Sequence, residues 1–256
     1  MKIDLTDLTF LILVRLDSIQ RLENTKIVTD SLLKYFHTNI FVLEADSYNN
    51  GFLKKNLNRK ITYQFVEDKD PVLHKTKYYN NMVKTVSTKY LSIWDTDAVI
   101  DKNAICDSMK HLREGADVAY PYCGLFYEVP DIIKRLYFKR QDIRILKRHI
   151  GKMKLLYERP LVGGAVIVKT DKYLQSGGES EEIYGWGNDD FIRYHRFKAN
   201  NYNIYRTNVN LFHLCHPRGI NSQFRNSFSK KISDLELSKE ENNHANSGQK
   251  IIVNSR

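Results

Sequence analysis

The sequence predicts an α/β fold: a mixed, mainly parallel sheet flanked by helices, in a single domain. Three observations carry that expectation. Residues 8–14 form a continuous apolar run, as expected of a strand buried on both faces of a parallel sheet. A polar loop and a helical pattern follow, so the chain opens as strand, loop and helix. A later apolar run, Tyr90 to Trp94, leads straight into Asp95-Thr96-Asp97, which sets carboxylates where such sheets bind ligands, beyond the carboxyl ends of the strands.

Taken in order, the first strand ends at Arg15, and Asp17 or Ser18 caps a helix whose apolar positions are Leu22, Ile27, Leu32, Leu33 and Phe36. Arg15 reads either as a contact to a nucleotide phosphate or base, or as an arginine paired with a nearby acid. A second strand over 39–46 ends in Glu44 and Asp46, and an acid at that point commonly accepts hydrogen bonds from a base or ribose. After a looser stretch, 61–66 reads as a third strand. Residues 74–88 alternate in a helical fashion, with Lys75, Lys77 and Asn80 available to face a nucleotide. Residues 103–114 read as a helix and 117–122 as a strand ended by proline. The stretch 131–158 is helical in pattern and strongly basic. It fits either an amphipathic helix packed on the sheet with a solvated basic face, or one resting on an anionic membrane. Gly163-Gly164 opens the apolar run 165–168, a strand whose start lets a backbone or ligand come close. A helix over 189–200 and a strand over 202–206 follow. From Phe228 the tail is polar, part helical and then disordered.

The 256 residues carry a net charge of +10, a surplus that favours anionic partners such as a nucleotide or a phospholipid surface. No aromatic-interleaved basic motif of a nucleic-acid module is present, so no nucleic-acid partner is expected. Three widely spaced cysteines suggest a reducing compartment without a disulfide framework. With neither a signal-peptide pattern nor a run long enough to span a bilayer, the expectation is a cytoplasmic protein, with peripheral contact at the inner face of the membrane as an added option.

Chemistry concentrates in three places. Side chains alternate along an extended segment, so Asp95 and Asp97 are expected on one side, where a pair of carboxylates suits a hard divalent cation, Mn²⁺ or Mg²⁺, bridging nucleotide phosphates. His213-x-x-His216 downstream is a candidate for completing the cation's coordination. Between them, Gly185-Trp186-Gly187-Asn188-Asp189-Asp190 sets an aromatic plate on a flexible hinge beside two acids, which suits a sugar. The acids equally suit a helix N-terminus, and both can hold at once.

In this order the three features resemble the GT-A glycosyltransferases, in particular the β-1,4-galactosyltransferase and chondroitin-synthase-like branch close to family 2. The likeness is dense over 85–220 and looser over 8–80. It implies that Asp97 binds the metal, that either His213 or His216 completes the site, and that Asp95 supports the nucleotide sugar. It also implies that Trp186 and Gly187 belong to a mobile loop closing over the donor and meeting the acceptor. The acidic pair after Gly-Trp-Gly is implied to receive the acceptor sugar, with Asp190 matching the general base of an inverting transfer and Asp189 the neighbouring, acceptor-binding acid. Relatives often carry Gly-Glu-Asp where this chain has Asn188-Asp189-Asp190, which leaves the acceptor, and any preference for an N-acetyl group, open.

The expected donor site is Arg15, Asp46, Lys75, Asn80, Asp95 and Gly164. The expected domain is 1–227, with 8–100 as its nucleotide-sugar half, 101–227 as its acceptor half and 228–256 as a polar tail. The function so implied is transfer of a hexose, galactose or N-acetylhexosamine, from a UDP-sugar to an oligosaccharide or lipid-linked glycan in surface polysaccharide synthesis. Two other classes stand beside it: a nucleotidyltransferase, and a non-catalytic glycan- or membrane-binding protein on a degenerate transferase fold.

Overall fold

The computed structural model describes the backbone of residues 1–252 and the side chains of residues 1–245. The first strand, β1 (Ile3–Val14), starts five residues before the apolar run. Asp4 and Asp7 hide that extension in the sequence, and a register shift between Leu5 and Thr9 marks where it joins the run. Helix α1 (Ile19–Tyr35) is capped by Ser18, whose side chain accepts from the Arg21 N–H. Then come β2 (Phe36–Asp46), the short α2 (Phe52–Asn56), β3 (Thr62–Glu67), α3 (Lys75–Val83) and β4 (Tyr90–Trp94). β1 pairs in parallel with β2 and β4, and β2 with β3. The central stretches of the inner strands are largely apolar because helices cover the sheet; all five residues of β4 are buried.

β5 (Ala98–Val99), α4 (Lys102–Arg113), β6 (Val118–Tyr120) and β7 (Phe126–Val129) follow. The basic stretch is not one helix. α5 (Asp131–Arg140) stops where Gln141 takes a left-handed φ of 46°, and Asp142 caps a new helix, α6 (Ile143–Arg148). A 3₁₀ turn and β8 (Lys154–Leu155) end it. β9 (Ala165–Lys169) inserts antiparallel between β4 and β6. α7 (Thr170–Gln175), α8 (Asp189–Ala199), β10 (Ile204–Arg206), β11 (Leu211–Leu214) and α9 (Ser227–Ile252) complete the chain.

The main sheet has the order β10-β6-β9-β4-β1-β2-β3, and a smaller one the order β5-β11-β7-β8. Strands from both halves of the chain therefore build the main sheet. The C-terminal segment packs on α8 through Arg196 and Glu240, with an N–O distance of 2.8 Å. The tail from Phe228, expected to be part helical and then disordered, is helical to Ile252, and residues 253–256 lie outside the described residues.

Candidate active site

A cleft of about 250 Å³ opens at the carboxyl ends of β1 and β4. The wall that carries Asp97, His213 and His216 is made by strand pairing. β11 lies antiparallel to β5 with His213 opposite Ala98, and the Leu214 N–H donates to Asp97 O at 2.9 Å. His213 is thereby held against Asp97, although 116 positions of sequence separate them in the chain.

Asp95-Thr96-Asp97 is not extended. The chain turns there, with the Ala98 N–H reaching Asp95 O at 3.3 Å, so the alternation expected from the sequence does not apply. Both carboxylates still line the cleft. Nε2 of His213 lies 3.5 Å from Asp97 Oδ1, and Nε2 of His216 3.2 Å from Asp97 Oδ2. Single donor atoms from these three residues fall within 4.8 Å of one another.

The donor set suits a divalent cation. Burial lowers the His213 pKa, which favours the neutral imidazole that binds a metal. His216 Nδ1 lies 2.8 Å from Pro217 O. A proton placed on Nδ1 to make that hydrogen bond leaves the Nε2 lone pair facing Asp97, the usual arrangement of a ligating histidine. Burial opposes ionisation of Asp97, but the histidines and Arg21 outweigh it and hold the carboxyl well below its ordinary range. With both imidazoles neutral for metal binding, the fixed positive charge beside Asp97 is Arg21, whose Nη1 is 3.9 Å from Asp97 Oδ2.

Across the cleft stands the start of α8. Asp190 lines the cleft, whereas Asp189 is buried behind it, 2.8 Å from the Lys75 ammonium. Burial pushes Asp189 up to about 7 despite that cation. The same burial acts on Asp190, but Lys75 and Arg193 overcome it and hold its carboxyl below the ordinary value. Arg193 is itself 2% exposed and pairs with Glu179 at 2.7 Å as well as with Asp190. Burial would lower the Lys75 pKa, yet Asp189, Asp190 and Asp95 keep it raised and charged. Asp95 is pushed up to about 6, chiefly by burial, with Asp97 and Asp190 adding to it against the pull of Lys75.

The glycines serve close approach. A Cβ at Gly163 would lie 2.2 Å from Asp190 Oδ2, and one at Gly164, whose φ is +75°, 2.6 Å from the Phe126 ring. Gly164 O accepts the Asp95 N–H at 2.9 Å, tying the glycine pair to the turn. Trp186 lines the cleft with Phe224 edge-on behind it at 4.8 Å. Its loop is held from the C-terminal side, where the Asn188 N–H donates to Ser233 Oγ at 2.8 Å.

Of the residues expected from sequence, the cleft gathers Arg15, Lys75, Asp95, Asp97, Gly164, Trp186, Gly187, Asp190, His213 and His216. Arg15 is already committed: it donates to Ala45 O, Asp70 O and Asp68, the paired reading of that residue. Asp46 stands aside from the cleft, accepting from the Leu16 and Ser47 N–H groups. Asn80 does not reach the cleft either; its amide is used on Glu179 and Glu181. Sequence reasoning passed over Arg21 and the Arg193–Glu179 pair. Arg21 carried a local signal, three positions after the cap Ser18, whereas nothing near Arg193 marks a partner 14 residues earlier.

No family model matches the chain, and no curated protein sequence matches it. Among solved structures, it is similar to a mannosyltransferase from Pyrobaculum calidifontis in complex with GDP-Man and Mn²⁺. The TM-score is 0.52 at 14% identity, over 98% of this chain and 76% of that one. The catalytic domain of Drosophila β1,4-galactosyltransferase 7 in complex with xylobiose gives 0.47 at 14% identity, over 78% of this chain. A mutant of the same enzyme with manganese, UDP-Gal and xylobiose gives 0.49 at 14% identity over the same share. This chain spans 63% of the length of those two structures. At such identities the likeness is one of fold, and that fold is GT-A.

Proposed function

We propose that this chain is an inverting, metal-dependent glycosyltransferase that moves a hexose from a UDP-sugar to a glycan acceptor. One observation carries the reading: a three-residue cluster suited to a cation and an ionised carboxylate, Asp190, line the same cleft. Asp97, His213 and His216 would hold Mn²⁺ or Mg²⁺, which when bound neutralises charge on the departing diphosphate.

The protein's own groups supply the rest. Asp190 takes the proton of the acceptor hydroxyl as that oxygen attacks the anomeric carbon. Its depressed pKa keeps it ionised for the task, and Gly163 leaves room beside Oδ2. Arg193 engages Oδ1, so the other oxygen is the one left for the acceptor. Lys75 and Arg21 add fixed positive charge beside the leaving group. Trp186 offers a ring face to a sugar, and Gly187 continues its loop. Asp95 and Gly164 support the donor from the turn, and Asp189 acts from behind by fixing Lys75. Arg15 and Asp46 shape the donor wall through the loops they hold.

The donor half is 8–100 and the acceptor half 101–227. Galactose or N-acetylhexosamine is the favoured sugar, and an oligosaccharide or lipid-linked glycan of surface polysaccharide, built on the cytoplasmic side of the membrane, the favoured acceptor. The test is release of UDP from a panel of UDP-sugars, with GDP-mannose included, in Mn²⁺ and then in EDTA. Metal-dependent release lost in Asp97→Ala supports the reading. Absence of cleavage and of binding for every nucleotide sugar overturns it in favour of a non-catalytic binding protein.

A further inference from the structure

Helix α5 has two faces with different work. Ile133, Lys134 and Tyr137 are buried, and Lys134 Nζ donates to Cys215 O at 3.0 Å, beside His216. On another side of the helix, Ile132 is 74% exposed and Leu136 45% exposed. Four residues apart, these two lie one above the other and form a single apolar patch.

Cations surround the patch. Arg135, Lys139 and Arg140 are exposed on the same helix, and Arg144, Lys147 and Arg148 on α6. Three acids of this region are already paired, Asp131 with Arg135, Asp142 with Arg144, and Asp101 with Lys147, and Glu23 also acts on Arg135. Among the described residues, Lys139, Arg140 and Arg148 have no ion-pair partner. The carboxyl end of α5 opens on a cleft of about 530 Å³ lined by Lys34, Tyr35, Lys102, Arg140, Arg144 and Lys147. Lys34 and Lys102 lie 5.4 and 4.9 Å from the Tyr35 ring centre.

We infer that this face of α5 and α6 docks on an anionic lipid bilayer, with Ile132 and Leu136 entering the headgroup boundary and the surrounding cations meeting lipid phosphates. An apolar pair flanked by exposed cations, with Lys139 and Arg140 on the same helix free of ion pairs among the described residues, fits that occupant because a bilayer offers apolar depth and negative charge together. An acidic protein surface would complement the charge and leave the apolar pair without a counterpart. Lys134, reaching Cys215 O from the same helix, sets the metal-ligating loop close to the docked surface.

The test is co-sedimentation of the full chain with vesicles of phosphatidylcholine alone and of phosphatidylcholine mixed with phosphatidylglycerol. Binding is expected to the mixed vesicles and to weaken as salt is raised. Ile132→Ser with Leu136→Ser, both exposed sites, is expected to lower the bound fraction about tenfold. Lys139→Glu with Arg140→Glu is a second variant that reads the charge alone and decides the matter if the first fails to fold by circular dichroism. No binding to mixed vesicles, or binding unchanged in both folded variants, overturns the inference. So does a dimer by light scattering that the serine variant dissociates, since the patch would then be an interface between two copies. The assay reads membrane binding without turnover, so its failure is separate from failure of the transferase reading.

Discussion

Gly163 and Asp190 occupy one space between them: a methyl group at position 163 would fall 2.2 Å from the carboxylate oxygen Oδ2. Gly163→Ala must therefore displace Asp190 from the cleft. A shift of about 1 Å in a reacting group costs about 10²-fold in rate. The expected outcome is a kcat for transfer lowered about a hundredfold with Mn²⁺ affinity unchanged, read by steady-state kinetics and calorimetry. Unchanged kcat would remove Asp190 from the reaction.

The cation cluster makes a prediction that needs no turnover. Asp97→Ala removes the carboxylate that both imidazoles face, and His213→Ala removes a buried nitrogen ligand. Each is expected to abolish binding of Mn²⁺ by isothermal calorimetry, whereas His111→Ala, on α4, leaves it intact. Binding that survives Asp97→Ala would place the metal elsewhere.

Arg193 is buried between two carboxylates, Glu179 and Asp190. Arg193→Met strands Glu179 as an unpaired buried charge, a change that costs about 3–5 kcal/mol. Urea unfolding at pH 7 should show a loss of that order. Because burial already presses Asp190 upward and Arg193 is one of the two cations opposing it, the acid limb of the rate profile should move to higher pH in whatever fraction remains folded.

Asp189 gives a pH dependence of stability. Its folded pKa is raised to about 7, above the ordinary carboxylate value, chiefly by burial. Between the unfolded and folded pKa values the native state binds more protons than the unfolded one, so this group's contribution falls as pH rises from about 4 to about 7. Asp189→Asn cannot ionise. Its stability relative to the unmodified protein should therefore improve steadily across that window in chemical denaturation at several pH values. A difference that is flat with pH would mean that Asp189 is not perturbed.

Ser233 is buried and accepts the Asn188 N–H from the Trp186 loop. Ser233→Ala leaves that donor without its partner, at a cost of about 1–3 kcal/mol. The loop should loosen, and acrylamide quenching of Trp186 should increase. The chain has two tryptophans, and Trp94 is 1% exposed with its indole N–H on Ala98 O, so the change reports on Trp186.

Legibility followed the reach of the interactions. The apolar runs of β1, β2 and β4 declare themselves because burial on both faces demands it, and Asp95 with Asp97, Asp190 after its two glycines, and the histidine pair stand out as clusters of chemistry. What the sequence hides is who touches whom. Arg15 looks like a ligand contact until Asp68, 53 positions away, is seen beside it. Asn80 is absorbed by a loop 99 positions away. The basic run 131–158 keeps a helical period across Gln141, and only the left-handed φ there breaks it into α5 and α6.

The reversed strand β9 joins the two halves of the chain at the site itself. Its first residues meet the end of β4, and the Asp95 N–H donates to Gly164 O, 69 positions later in the chain. Closing so long a loop comes at an entropic cost that the pairing of β1 with β2 and of β2 with β3 does not carry, since Thr9 meets Asn39 and Phe41 meets Thr62, whereas β1 and β4, pairing Leu8 with Tyr90, share that cost. During folding the cleft, which needs both β4 and β9 in place, should form after β1, β2 and β3 have paired. A gene split after residue 100 would separate strands that share one sheet, and the N-terminal fragment alone should expose the edge of β4 and aggregate.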